Sequence, residues 1–206
     1  GIIDQLGFVQ LDSIQIVARA HHHILWSRNQ HYREPMLGKL MASEESVFEH
    51  FTHDASLLPM RLLPYWRRQF RRKQTELDRA GWYKGLPEAS VRAAMKARIW
   101  QEGPLSTHAF DSEAAAPRAM WTRPPHKLAL DYMWYGGELA TAYRRNFTKF
   151  YDVAERVFPT ELAAIELSDQ AQIDWLCAAA LDRMGFGTAG EVQRFWGAVS
   201  AVEVKQ

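Results

Sequence analysis

Residues 125–153 constrain the fold of this chain more than any other stretch. Pro125 opens a run with helical spacing that continues to Tyr135, and Gly136-Gly137 ends it. Proline suits a first helical turn, where its missing N–H has no intrahelical partner to lose, and paired glycines stop a helix. Two short runs follow, 139–144 and 147–153, separated by Arg145-Asn146 and fitting a β-hairpin. Upstream stand a short helix started by Ser106 and a loop rich in Ala and Pro around residues 114–117. Helix, helix, hairpin is the order of a winged helix, whose second helix enters a groove or lies on the backbone while the basic hairpin tip reaches phosphates. Arg144, Arg145 and Lys149 fall at that tip and Lys127 in the helix before it, and these four are expected to contact DNA.

The rest of the chain is read mainly as helix. Helical patterning runs over 14–26, 34–41, 59–77, 86–100, 169–184 and 188–196, with Pro59 near a start and Gly103-Pro104 as a stop. Phe8-Val9-Gln10-Leu11-Asp12 alternates apolar and polar residues with period two, the mark of a short strand. The expected class is mainly α with short β-hairpins, α+β. No internal repeat stands out in the residues.

At 206 residues the chain is long enough for two small domains with real cores. It is 47% hydrophobic, too apolar for a disordered chain. No apolar run approaches the roughly 18 to 20 residues that cross a bilayer, and no leader pattern opens the sequence. A cytoplasmic location without membrane partners is expected, in a bacterium at the nucleoid. The single Cys177 excludes an intramolecular disulfide and a thiolate metal cage. Gly1-Ile2-Ile3 lacks an initiating Met and Lys205-Gln206 stops inside a continuing pattern, so the sequence is expected to be a piece of a longer chain.

A formal net charge of +1 does not by itself suggest nucleic acid, but the charges are segregated. Arg61, Arg67, Arg68, Arg71, Arg72 and Lys73 stand in a stretch without an acid, whereas residues 152–174 are dominated by Glu and Asp. Trp66 and Phe70, four apart, anchor one side of the helix that carries the arginines. Arg67 and Arg71 are candidates to track phosphates; the alternative is an exposed helix kept soluble by charge.

Gln10-Leu11-Asp12 carries the most chemistry. Strand alternation puts Gln10 and Asp12 on one face, about 7 Å apart, where they can hold one water between them. An amide that orients a water and a carboxylate that polarises it suit hydrolysis through an oxocarbenium-like transition state. The alternative is that Asp12, with Ser13, caps the following helix and Gln10 is merely exposed; spacing alone leaves both open. His21-His22-His23 invites a metal, but successive helical side chains diverge by about 100° and cannot all bind one ion. No HExxH or cysteine pair assists, and no metal or other cofactor is expected. Most of the aromatic residues fit the core, with Trp121 beside Arg123 the one held open for base stacking.

The segment Phe8-Val9-Gln10-Leu11-Asp12-Ser13-Ile14-Gln15-Ile16-Val17-Ala18-Arg19 resembles the signature of the YcaQ/AlkZ family of bacterial DNA glycosylases, and the Gln-apolar-Asp form resembles the YcaQ (AlkX) branch. Further similarity lies in Phe48-Glu49-His50-Phe51-Thr52-His53-Asp54-Ala55, in Gly81-Trp82-Tyr83-Lys84, in Glu102-Gly103-Pro104-Leu105, and in Tyr143-Arg144-Arg145-Asn146-Phe147 followed by Tyr151 to Pro159. The resemblance implies tandem winged-helix domains around a cleft: residues 1–100 as a partial first domain with linking helices, 101–160 as the second, and 161–206 as the start of a further module. It implies metal-independent, monofunctional removal of N7-alkylated purines from double-stranded DNA, extending to interstrand cross-links. Gln10 and Asp12 would hold the attacking water, Asp12 would also steady the sugar cation, and His53 would line the cleft. A monomer is expected. The competing readings are a non-enzymatic winged-helix regulator or architectural binder of DNA, in which Gln10 and Asp12 only cap structure, and an interaction module whose hairpin and arginines bind protein.

Overall fold

A computed structural model describes residues 1–43, 46–79, 85–111 and 123–205. The residues at 81–84, at 114–117 and Trp121, all singled out above, lie outside that set. Among the described residues helices dominate, and two small antiparallel sheets supply the strands. The chain divides into two compact units, Gly1–Gln69 with Pro159–Gln206, and Phe70–Phe158.

The first unit opens with α1 (Ile2–Leu6), β1 (Val9–Gln10), α2 (Ala20–Arg28) and α3 (Glu34–Met41), then forms a hairpin from β2 (Val47–Phe51) and β3 (Ala55–Pro59). A 3₁₀ turn, Met60–Leu62, leads into α4 (Leu63–Arg79). β3 lies between β1 and β2, both antiparallel to it, so Gln10 faces Ser56 and Ser56 faces His50. Val9, Leu11 and Leu57 are buried on one face of the sheet and Phe48 and Leu58 on the other, so the sheet is covered on both faces. The helix expected from Ile14 begins only at Ala20, with Arg19 extended at its N-cap. The Asp12 carboxylate accepts the Ile14 N–H at 2.8 Å, a side-chain bond that competes with helical pairing. Ile14, Ile16 and Val17 stay 68%, 91% and 85% exposed, so no core face draws them into a helix.

The second unit carries α5 (Ala89–Glu102), β4 (Leu105–Ser106), a 3₁₀ segment at Thr107–Phe110 where a Ser106-started helix was expected, and α6 (Pro125–Tyr135). Its hairpin, β5 (Leu139–Arg145) and β6 (Thr148–Val153), is followed by α7 (Ala154–Val157). Asn146 and Phe147 take φ of 47° and 66°, as a two-residue type I′ turn requires. The turn therefore sits one residue later than Arg145-Asn146. Leu130, Met133, Leu139 and Val153 are buried, and the indole N–H of Trp134 donates to the Thr141 hydroxyl at 3.1 Å. β6 lies between β4 and β5. Both sheets thus have the same order, first strand, third, second, and both units run helix, short strand, helical segments, hairpin.

After the second unit the chain continues as α8 (Thr160–Ala163), α9 (Asp169–Met184), α10 (Ala189–Trp196) and a 3₁₀ turn at Glu203–Lys205. Ser168 caps α9 by accepting the Ala171 N–H at 3.1 Å, and Thr188 with Glu191 forms a capping box on α10. This segment, expected to open a further module, packs in the unit that holds residues 1–69. Trp66 and Trp196 are fully buried there, with ring centroids 6.1 Å apart. Gly7, at φ 88°, ends α1 where an added Cβ would lie 2.6 Å from the Trp196 ring.

Candidate active site

Gln10 and Asp12 flank the buried Leu11 at the edge of the first sheet. The ladder continues one residue past β1, because the Leu11 N–H donates to the Ala55 carbonyl at 2.7 Å. Burial alternates along 9–12: Val9 and Leu11 are inside, Gln10 is exposed and Asp12 is half-buried. The two polar side chains therefore leave the extended segment on the side opposite Leu11. Asp12 is no helix cap, since α2 starts eight residues later. Its Oδ1 accepts the Ile14 N–H, and an ionised carboxylate has a second oxygen with which to accept from a water.

Behind Gln10 the cross-strand row runs into the interior through Ser56 and His50, which are 0% and 1% exposed. Ser56 donates to the Asp54 carbonyl at 3.0 Å, so the 2.8 Å contact with Thr52 is a bond in which Thr52 donates. Trp66 donates its indole N–H to His50 Nδ1 at 2.9 Å, which puts the proton of a neutral His50 on Nε2. The strand carrying Gln10 is thus backed by a polar network and not by apolar packing alone.

The three consecutive histidines grade from buried His21 through half-buried His22 to exposed His23, with the His21 and His22 rings 4.3 Å apart. His21 is 2% exposed, and its Nδ1 accepts the Asp12 N–H at 3.1 Å. Residue spacing gave no sign of this bond, and the triple-histidine run drew attention to metals instead. His22 Nδ1 and the Tyr32 hydroxyl share a hydrogen bond at 2.7 Å. Burial pushes the Tyr32 phenol up to about 12, assisted by the Glu34 charge, and burial also holds His22 below its ordinary value. Among the described residues no three His, Cys, Asp or Glu side chains gather as a metal site. His53 is exposed on the β2–β3 turn; its Nε2 lies 3.3 Å from the Phe195 carbonyl and its ring is 6.2 Å from Phe8.

The basic residues sort by what holds them. In the second unit, Arg145 is exposed at the hairpin tip, 5.5 Å from the Phe150 ring centroid, and Lys127 is exposed on the first turn of α6. Arg144 donates to the Phe147 carbonyl at 2.7 Å and lies over the Phe147 ring. The Lys149 ammonium sits 3.3 Å above the centre of the Trp134 ring. Arg71 is exposed on α4. In the first unit, Arg67 is half-buried and donates to the Ala163 carbonyl. Within the arginine run, Arg67 is thus half-buried on a structural partner while Arg71 is exposed.

The family model for AlkZ-like DNA glycosylases matches residues 3–206. No solved structure matches the chain. Among the described residues no helix is long and apolar enough to cross a membrane.

Proposed function

Because the chain belongs to the AlkZ-like DNA glycosylase family, we propose that it hydrolyses the N-glycosidic bond of N7-alkylated purines in DNA, with Gln10 and Asp12 holding the attacking water. The observation that carries this reading is the alternation at 10–12: an exposed amide and a half-exposed carboxylate leave one side of an anchored extended segment. In the proposed step the Gln10 amide orients the water and the Asp12 carboxylate takes its proton as the water oxygen bonds to C1′. The C1′–N9 bond breaks, and its electron pair neutralises the cationic ring. Asp12 also steadies the positive sugar before attack. The ring carries its positive charge before the bond breaks, so no leaving-group acid is required, and water as the nucleophile makes the enzyme monofunctional.

Each unit is read as a winged helix. The shared strand order, first, third, second, supports this, as does the type I′ hairpin with Arg145 at its tip. Arg145, Lys127 and Arg71, all exposed, are the proposed phosphate contacts. Arg67, Arg144 and Lys149 join them only by loosening the bonds described above. His53 is kept as a residue lining the approach to Asp12. The protein acts as a monomer in the cytoplasm, belongs to the YcaQ branch, and takes cross-linked purines as its widest substrates.

The test uses duplex DNA carrying N7-methylguanine. The chain should release the free base, and Gln10→Ala and Asp12→Asn should each slow release by about 100-fold or more while melting as the parent does. Unchanged release in both variants would sink the assignment.

A further inference from the structure

The first unit holds an open cleft of about 710 Å³ along α2 and α3. Its lining combines Trp26, 51% exposed, with the amide of Gln30 and the carboxylate of Glu34. His22 and Tyr32 line it too, joined by their hydrogen bond, with ring centroids 6.0 Å apart in a stacked arrangement. Arg33 is also on the wall, but its guanidinium donates to the Gln30 and Tyr32 carbonyls at 2.8 and 2.7 Å, which directs its charge at the loop between the helices. The cleft adjoins the catalytic segment through α2, since His21, which holds the Asp12 amide, is followed by His22 of the lining.

The exposed indole and the Glu34 carboxylate, whose Oε2 lies 3.7 Å from His22 Nε2, line one cleft, and together they suit a particular ligand. Alkylation at N7 spreads a positive charge over a purine ring, and such a ring stacks on an indole face more strongly than a neutral one. In guanine the same charge makes the N1–H and N2–H groups better donors, and a carboxylate offers two acceptor oxygens for them. Gln30 adds an amide that can pair with either edge. Because Trp26, Gln30 and Glu34 are exposed, a bulky N7 substituent can remain outside the recess.

We propose that this cleft receives the cationic N7-alkylguanine ring, with Trp26 as its stacking face and Glu34 as the acceptor for its N1–H and N2–H edge. The proposal rests on the substrate reading above and adds a specificity site to it. It makes Trp26 and Glu34 discriminators between damaged and undamaged guanine, separate from the Gln10 and Asp12 pair.

Isothermal titration of the whole chain with 7-methylguanosine and with guanosine, in slightly acidic buffer, tests this without turnover. The methylated nucleoside should bind about tenfold tighter than guanosine. Trp26→Ala should abolish binding of both, and Glu34→Gln should erase the preference; both side chains are exposed, and circular dichroism of the variants checks their folding. Equal affinity for the two nucleosides, or a preference unchanged in both variants, overturns the site. Base release from N7-methylguanine DNA is measured on the same preparations. Release without nucleoside preference removes the cleft and leaves the glycosylase reading standing, whereas preference without release does the reverse.

Discussion

The main-chain N–H of Asp12 donates to Nδ1 of the buried His21 at 3.1 Å, tying the proposed catalytic carboxylate to the first turn of α2. This makes His21 a positioning residue. His21→Phe keeps a planar ring and removes the acceptor, leaving the amide unpaired at a cost of about 1–3 kcal/mol. We expect urea unfolding to show that loss, and single-turnover base release to slow more than substrate affinity weakens. His21→Asn, whose side-chain oxygen can accept the same N–H, should restore part of the rate. Equal rates in all three proteins would show that the bond only fills space.

Two hairpin cations should behave differently. Arg145 is exposed at the tip, so Arg145→Ala should leave stability unchanged and lower the salt dependence of DNA binding by about one unit of slope. Lys149 stacks on Trp134, and Lys149→Ala should cost about 0.5–1 kcal/mol of stability. Fluorescence anisotropy across a salt series, with urea melts in parallel, separates the two effects.

Arg68 is the inward member of the arginine run. It donates to Glu203 and to the Ala198 carbonyl at 3.0 Å, while its own N–H pairs with Gln172 at 2.8 Å. Arg68→Met removes the cation and leaves Glu203 facing a half-buried site. We expect a loss of about 3 kcal/mol by urea titration. If Arg68→Met is neutral, the C-terminal turn is held by apolar packing alone.

Burial lowers the His22 pKa, so the unfolded chain takes up a proton at this position before the folded chain does. The associated stability is complete above the ordinary histidine value of about 6.5 and declines as pH falls towards the depressed one. Between neutral pH and about 5.5 the parent should lose more stability than His22→Gln does. The urea midpoint measured at both pH values gives the comparison, and parallel losses would count against a depressed His22.

Long helices were legible because the side-chain period and the end signals agree. The spans 34–41, 125–135 and 169–184 match α3, α6 and α9 to the residue, each bounded by a proline, a glycine or a capping serine. β2 and β3 gave no such signal. Val47–Glu49 and Ser56–Pro59 are buried without alternation, and a strand covered on both faces shows no period of two. Glu49 and His50 make the pattern look polar although both are inside. The shared topology of the two units was invisible for a related reason: strand order needs matching patterns, and Gln10 in one first strand answers to Ser106 in the other. At the candidate site, the one-sided placement of Gln10 and Asp12 could be read because their relation is local. His21, nine residues from Asp12, could not.

The first unit is assembled from both ends of the chain, with the whole second unit inserted between its parts. On a ribosome, residues 70–158 emerge as an uninterrupted block and can close while the surroundings of Trp66 still await Trp196 and Ala198. The unit that carries Gln10 and Asp12 is therefore completed only after residues 159–206 follow the second unit, and a chain stopped before them lacks the surroundings of Gln10 and Asp12 however well residues 70–158 have formed.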